Sequence, residues 1–177
     1  MSKENYERGL QENERYTLRE NKAVLYIKAK DKSIVIKLDD GVIIKKELIN
    51  QKFCDYLVYN LVDRLSHFIE LKGSDIIYAL KQILETITFL ENDKIHCKYV
   101  KDAELIKGYI VSSTGNVPKI DYTHRKRLNK KLHNLSKVKL NLDEYVVFVR
   151  CVSKISKNYK EKGNYIVLNS NDFPLIV

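Results

Sequence analysis

The sequence predicts an α+β fold, and three observations carry that expectation. Short β-branched runs separated by polar turns fill residues 23–45, apolar residues at steps of three and four fill residues 50–90, and basic amphipathic stretches with short strands close the chain. The 177 residues are 44% apolar and 31% charged, enough apolar material for one buried core and too much for a disordered chain. Only six Gly and two Pro argue for few irregular loops. The expected division is a flexible or helical N-terminal segment over 1–20 and a single compact α+β domain over 21–177, with its basic part at 118–162.

The opening stretch, Glu4 to Arg19, alternates Glu, Arg and Asn with little apolar content and reads as a frayed helix or a tail. Ala23 to Lys28, Ser33 to Leu38 and Val42 to Lys45 read as an antiparallel β-meander. Its turns are Lys30-Asp31-Lys32 and Asp39-Asp40-Gly41, the second with the Asp-Gly pair that suits a positive φ. Phe53, Leu57, Leu61, Leu65 and Phe68 draw one stripe and predict a helix over about Asn50 to Leu71. Gly73 ends it, Ser74 or Asp75 caps the next, and Ile76, Leu80, Ile83, Leu84, Ile87 and Leu90 predict a second amphipathic helix that Asn92-Asp93 stops. Ile95 to Val100 and Leu105 to Val111 are expected as strands, followed by a turn at Ser113 to Asn116 and an extended Val117 before Pro118.

A basic helix pair follows. The first is capped by Thr123 and runs to about Leu135, with Leu128, Leu132 and Leu135 inward; the second starts at Asn141 or Asp143 and runs to about Lys160. On the second, Tyr145, Phe148, Val149, Val152 and Ile155 form the apolar side and Arg150, Lys154 and Lys157 line another. A last strand, Tyr165 to Leu168, a turn at 169–172 and an apolar end that docks on the fold complete the expectation.

The charge is segregated. Residues 118–162 hold 13 Lys/Arg against 4 Asp/Glu, whereas residues 1–117 balance 19 with 18. Of the 32 basic residues 25 are Lys, and Ile, Asn and Tyr abound without Trp, the bias of a low-GC genome. That bias cannot place the excess in one segment. A local positive field attracts polyanions and gains from counterion release at phosphates. The residues expected to grip phosphate are Arg125, Lys126, Arg127, Lys130, Lys131, Arg150, Lys154 and Lys157, with Asn129 and Asn134 for sugar or base edges. Tyr122, Tyr145, Tyr159 and Tyr165 are candidates for stacking on bases, Tyr145 being better suited to the core.

Catalytic signals are thin. Asp39-Asp40 is better explained by a hairpin than by a metal site, and no CxxC, HxxxH, HExxH, P-loop, GxGxxG or GxSxG occurs. His96 and Cys97, adjacent on an expected strand, point apart and cannot share an ion; His67 reads as a satisfied or surface histidine, and His124 and His133 sit among cations. Cys54, Cys97 and Cys151, odd in number and far apart among apolar neighbours, read as reduced core thiols. No metal and no cofactor is expected. No span-length apolar run and no apolar leader occurs, so the expectation is a cytoplasmic protein with no membrane partner.

The run Leu105-Ile106-Lys107-Gly108-Tyr109-Ile110-Val111-Ser112, then Val117-Pro118, the basic helix ending Leu132-His133-Asn134, and Leu142-Asp143-Glu144-Tyr145 resemble the palm-to-thumb passage of retron-type reverse transcriptases. The resemblance covers about 104–160. That family has Thr where Lys107 stands and Asn where Ser113 falls, and its metal-binding Asp pair has no counterpart, Ser74-Asp75 keeping a single acid. The resemblance implies a thumb-like element holding a duplex by its backbone, without polymerase activity.

The expected function is therefore a non-enzymatic DNA- or RNA-binding protein of a low-GC bacterium, its phage or a mobile element. A protein-binding effector that covers an acidic surface, such as a phage inhibitor of a host nuclease, is the first alternative. A small metal-dependent nuclease using Asp39, Asp40 or Asp75 is the second.

Overall fold

The structure, a computed structural model, describes residues 7–21, 23–38, 52–71, 75–112, 122–152 and 166–177. The architecture is α+β, in three layers. A seven-stranded mixed sheet forms the middle, two helices cover one face and a three-stranded sheet covers the other.

The large sheet contains β1 (Glu7–Leu10), β4 (Ser33–Lys37), β5 (Tyr56–Asn60), β6 (Leu65–Leu71), β7 (Leu105–Ser112), β8 (Val146–Cys151) and β9 (Ile166–Asn169), in that spatial order. β1, β4, β5 and β6 pair antiparallel, and β6, β7, β8 and β9 pair parallel. The small sheet contains β2 (Arg15–Glu20), β3 (Ala23–Lys28) and β10 (Leu175–Ile176), with β3 in the centre. α1 (Ile76–Asn92) links β6 to β7 together with the single turn α2 (Lys98–Lys101), and α3 (Tyr122–Leu135) links β7 to β8. Both crossovers advance the same way along the sheet, so one handedness puts α1 and α3 on one face.

Strand alternation sorts the core into two halves. Leu57, Tyr59, Phe68, Ile106, Ile110, Val146 and Phe148 meet the helices. Their alternates Tyr56, Val58, Ile69, Tyr109, Val111, Val147 and Val149 meet Leu18, Leu25 and Ile27 of the small sheet. Gly108 faces the helices: a Cβ there would make ordinary contact with Ile83 at 3.5 Å and Leu128 at 3.8 Å.

The central strands explain the main departures from the sequence reading. Residues 56–71 form a β-hairpin, not a helix. Both faces of that hairpin are buried, so apolar residues fall on both sides of each strand, and a helical stripe can be traced through such a pattern. Leu61 of the supposed stripe sits 46% exposed in the turn. There the Asn60 side chain accepts from the N–H groups of Val62 (3.0 Å) and Asp63 (2.7 Å), and Arg64 takes a positive φ of 53°.

The second basic helix is also absent across the described residues. Asn141 caps a single 3-10 turn, Leu142–Glu144, and Val146–Cys151 is a fully inserted strand. Ile95 to Val100 is not a strand either. The Asp93 carboxylate accepts from the N–H groups of Ile95 (2.9 Å) and His96 (2.7 Å), turning the chain into α2. Residues 7–20 form β1 and β2 rather than a frayed helix or a tail. The expected meander is divided instead: β3 and β4 belong to different sheets, and β3 pairs with β2 and, in parallel, with β10. The strand expected at Val42 to Lys45 and the turns at 39–41 and 113–118 lie outside the described residues.

Several expectations hold: α1 with its Asp75 cap, whose carboxylate accepts from Tyr78 N–H at 2.9 Å; the strands at β3, β4, β7 and β9, though not the pairing of the first two; and α3 over Tyr122–Leu135. The chain end docks as expected, with Val177 3% exposed. No helix among the described residues is long and apolar enough to cross a membrane.

Candidate functional site

The parallel strands β6, β7, β8 and β9 all end at one edge of the large sheet. The antiparallel partners put the end of β4 and the start of β5 at that same edge. α1 starts there from its Asp75 cap. α3 starts toward it too, because its far end is tied to the beginning of β7: Ile106 N–H donates to Ser136 Oγ at 3.0 Å and Lys137 N–H to Glu104 O at 2.9 Å. The crevice outside the carboxyl ends of parallel strands is where open α/β sheets bind ligands, and two helix N-termini add positive potential there.

Two carboxylates stand at this edge. Asp55 immediately precedes β5, and Glu70 is the next-to-last residue of β6; the Tyr56–Ile69 register places them across from each other one step further on. Asp55 is 6% exposed and Glu70 1%. Both lie on the helix-facing side, alternating with Tyr56 and Ile69. Backbone bonds fix Asp55 from two strands: its Oδ2 accepts from Leu71 N–H at 2.5 Å, and its carbonyl accepts from Leu38 N–H at 2.9 Å. α1 clamps the approach. Gln82 Nε2 donates to Phe53 O at 3.0 Å, and Thr86 Oγ1 accepts from Cys54 N–H at 2.8 Å while donating to Gln82 O at 2.7 Å. The Cys54 thiol is held well above its ordinary pKa, first by burial and then by the negative charges of Glu70 and Asp55. It therefore stays protonated, a poor metal ligand and a poor nucleophile.

The basic residues do not form the shared outer face that the sequence predicts. Arg125 is 6% exposed; its Nη2 donates to Asp143 O at 3.0 Å and its guanidinium lies 5.5 Å from the Phe148 ring centroid. Lys131 pairs with Glu91 at 2.5 Å. Lys137 pairs with Glu104 at 3.2 Å, and Lys139 closes the end of α3 by donating to the carbonyls of His133 (2.6 Å) and Ser136 (2.5 Å). Arg150 is half-buried on β8, and Lys154 and Lys157 lie outside the described residues. Lys126, Arg127 and Lys130 remain as the exposed cations of α3.

Two concavities flank α3. On the α1 side a groove of about 940 Å³ runs past Leu84, Phe89 and the exposed Ile95 to His124 and Arg127. On the other flank a small pocket of about 130 Å³ is lined by Tyr122, Arg125, Lys126, Asn129, Leu142 and Asp143. Tyr122 is 69% exposed, whereas Tyr145 is core, its hydroxyl accepting from Leu140 N–H at 2.9 Å. Tyr159 and Tyr165 lie outside the described residues, as do Asp39 and Asp40.

His67 is buried in β6, not on a helix; its Nδ1 lies 3.2 Å from the Tyr109 hydroxyl, and burial, with the nearby Lys107 charge, lowers its pKa to about 3. Among the described residues no group of three or more His, Cys, Asp or Glu is placed to share one metal ion. Sequence reasoning missed Asp55 and Glu70 because both fell inside the supposed helix. The available signal was the Asn60 to Asp63 turn splitting two runs rich in aromatic and β-branched residues. Compared with protein-family models, curated proteins and solved structures, the chain matches none.

Proposed function

We propose that this protein is a nucleic-acid phosphodiesterase that works with Mg²⁺, and that Asp55 and Glu70 hold the ion. The observation carrying the reading is the placement of these two carboxylates on neighbouring rigid strands, at the edge where the parallel strands end. The donor set fits Mg²⁺ and not Zn²⁺. Two carboxylates suit a hard ion that keeps several waters and takes its remaining ligands from substrate phosphate, whereas zinc favours imidazole and thiolate sets that the described residues do not assemble. When bound, Mg²⁺ supplies Lewis-acid polarisation of a phosphodiester and neutralises charge that develops on it.

The chain's own residues do the rest. A strand hydrogen bond to the Asp55 carboxylate and the α1 clamp on residues 53–54 hold Asp55 in fixed geometry, and Glu70 is placed by its position in β6, so little reorganisation accompanies reaction. Lys126, Arg127 and Lys130 bind backbone phosphates beyond the reacting one and position the strand. This reading keeps the nucleic-acid partner expected from the charge, replaces Asp39, Asp40 and Asp75 as the acids of the nuclease alternative, and gives Asp75 its role as a helix cap.

The test is incubation of labelled single- and double-stranded DNA and RNA with the full chain, in Mg²⁺ or in EDTA. Cleavage that requires Mg²⁺ and disappears in Asp55→Asn and Glu70→Gln, with the melting transition kept, supports the proposal. Salt-sensitive binding without cleavage under any divalent ion returns the protein to the non-enzymatic binder. If it neither binds nor cleaves, the protein-binding effector is the remaining reading.

A further inference from the structure

We propose that the small pocket on the flank of α3 turned away from α1 takes a single unstacked nucleobase. This inference rests on the nucleic-acid reading above and adds what part of the polymer is held there. Tyr122, Arg125 and Asn129 recur at steps of three and four, so they share one stripe of α3, opposite the stripe of His124, Arg127 and Lys131. The 3-10 turn at Leu142–Glu144 closes the stripe into a pocket.

The pocket is built, not incidental. Asn129 is 2% exposed, and its side-chain carbonyl Oδ1 has no hydrogen-bond partner among the described residues. A buried acceptor left unmade is unfavourable, and such a group in a native fold calls for a ligand or water that donates to it. The volume, about 130 Å³, is room for about four waters at about 30 Å³ each. It also falls well below the several hundred Å³ of a drug-sized site, and a single ring system suits it. The rim supplies what a nucleotide needs. Tyr122 offers an exposed aromatic face, Leu142, 47% exposed, offers an apolar wall, and Lys126 offers a cation for the attached phosphate. Asn129 at the floor meets the base edge through an acceptor, which favours bases presenting an N–H donor. The indole- or ribose-sized alternatives lack this combination of a planar face, an edge donor and a pendant anion.

The experiment compares two fluorescent single-stranded oligonucleotides, one normal and one carrying abasic sites at every position but the label, titrated in EDTA so that neither is cut. The wild type should bind the normal strand about 5- to 150-fold more tightly, the range that base–aromatic stacking spans. Tyr122→Ala, at an exposed position that leaves folding intact, should remove that preference while keeping the salt dependence of the abasic strand. Asn129→Leu, with its melting transition recorded, should change the order of preference among the four bases. Equal binding of both strands by the wild type, or an undiminished preference in Tyr122→Ala, overturns the pocket and leaves the phosphodiesterase reading standing. Binding of neither strand in EDTA also overturns the pocket, and the phosphodiesterase reading falls with it only if cleavage in Mg²⁺ is absent too.

Discussion

Replacing Lys126, Arg127 and Lys130 together by Gln should change the salt dependence of duplex binding by an amount the structure sets. These side chains are the exposed cations of α3, whereas Arg125 is 6% exposed and held by Asp143 O, and Lys131 is paired with Glu91 at 2.5 Å. Each phosphate neutralised contributes a slope of about 0.9 in the log–log plot of affinity against salt for duplex DNA. Losing three contacts should therefore flatten the plot by about 2.7, and by about 2.1 for a single strand at about 0.7 each. Between 50 and 200 mM salt a slope difference of about 2.7 corresponds to about 40-fold. The variant's deficit at low salt should shrink by about that factor as salt rises. Fluorescence anisotropy at four or five salt concentrations reads the slope directly. An unchanged slope in the triple variant, with a large change in Lys131→Gln or Lys139→Gln, would refute the assignment of phosphate contacts to the outer face of α3.

Acid should destabilise the fold through His67. Its folded pKa is about 3 because burial disfavours the cation, so between about 6.5 and 3 the unfolded chain binds a proton that the folded chain does not. Stability should then fall as pH drops through that window by up to about 1.4 kcal/mol per pH unit, and denaturation of His67→Phe should show a shallower dependence. Among the thiols, half-exposed Cys97 should react first with an aromatic disulfide reagent. Cys151, pushed up to about 11 by burial, should lag, and Cys54 should react only on unfolding; an early Cys54 adduct contradicts the buried carboxylate edge. Leu128→Ala, at a fully buried position between α1 and β7, should lower the unfolding free energy by about 2–5 kcal/mol in urea melts. A loss below about 1 kcal/mol would mean that α3 is not seated on the sheet as described.

Amphipathic surface elements were legible in the sequence; among the strands buried on both faces, β7 was legible and β5, β6 and β8 were not. α1 and α3 each bury one stripe and expose the other, so period and caps locate them within a few residues. β5, β6 and β8 are largely buried on both faces, and their apolar residues, interrupted in β6 by Ser66, His67 and Glu70, show no alternation that separates strand from helix. Length is the better guide, because the Asn60 to Asp63 turn leaves two segments of strand length where the apolar stripe implies one helix of over twenty residues. Charge segregation pointed to α3, but formal charge does not reveal which cations a fold engages internally. Arg125, Lys131, Lys137 and Lys139 are held by groups distant in sequence or by the helix end. The acid pair was out of reach for the same reason. Asp55 and Glu70 are fifteen positions apart and become neighbours only when the hairpin closes.

Manganese binding followed by electron paramagnetic resonance bears most directly on the claim that Asp55 and Glu70 hold a divalent ion. The wild type should take up Mn²⁺ at a site from which Mg²⁺ displaces it, and Asp55→Asn and Glu70→Gln should each lose that site together with strand cleavage. A folded wild type that leaves Mn²⁺ free in solution, or variants that bind the ion and cut as the wild type does, would contradict it.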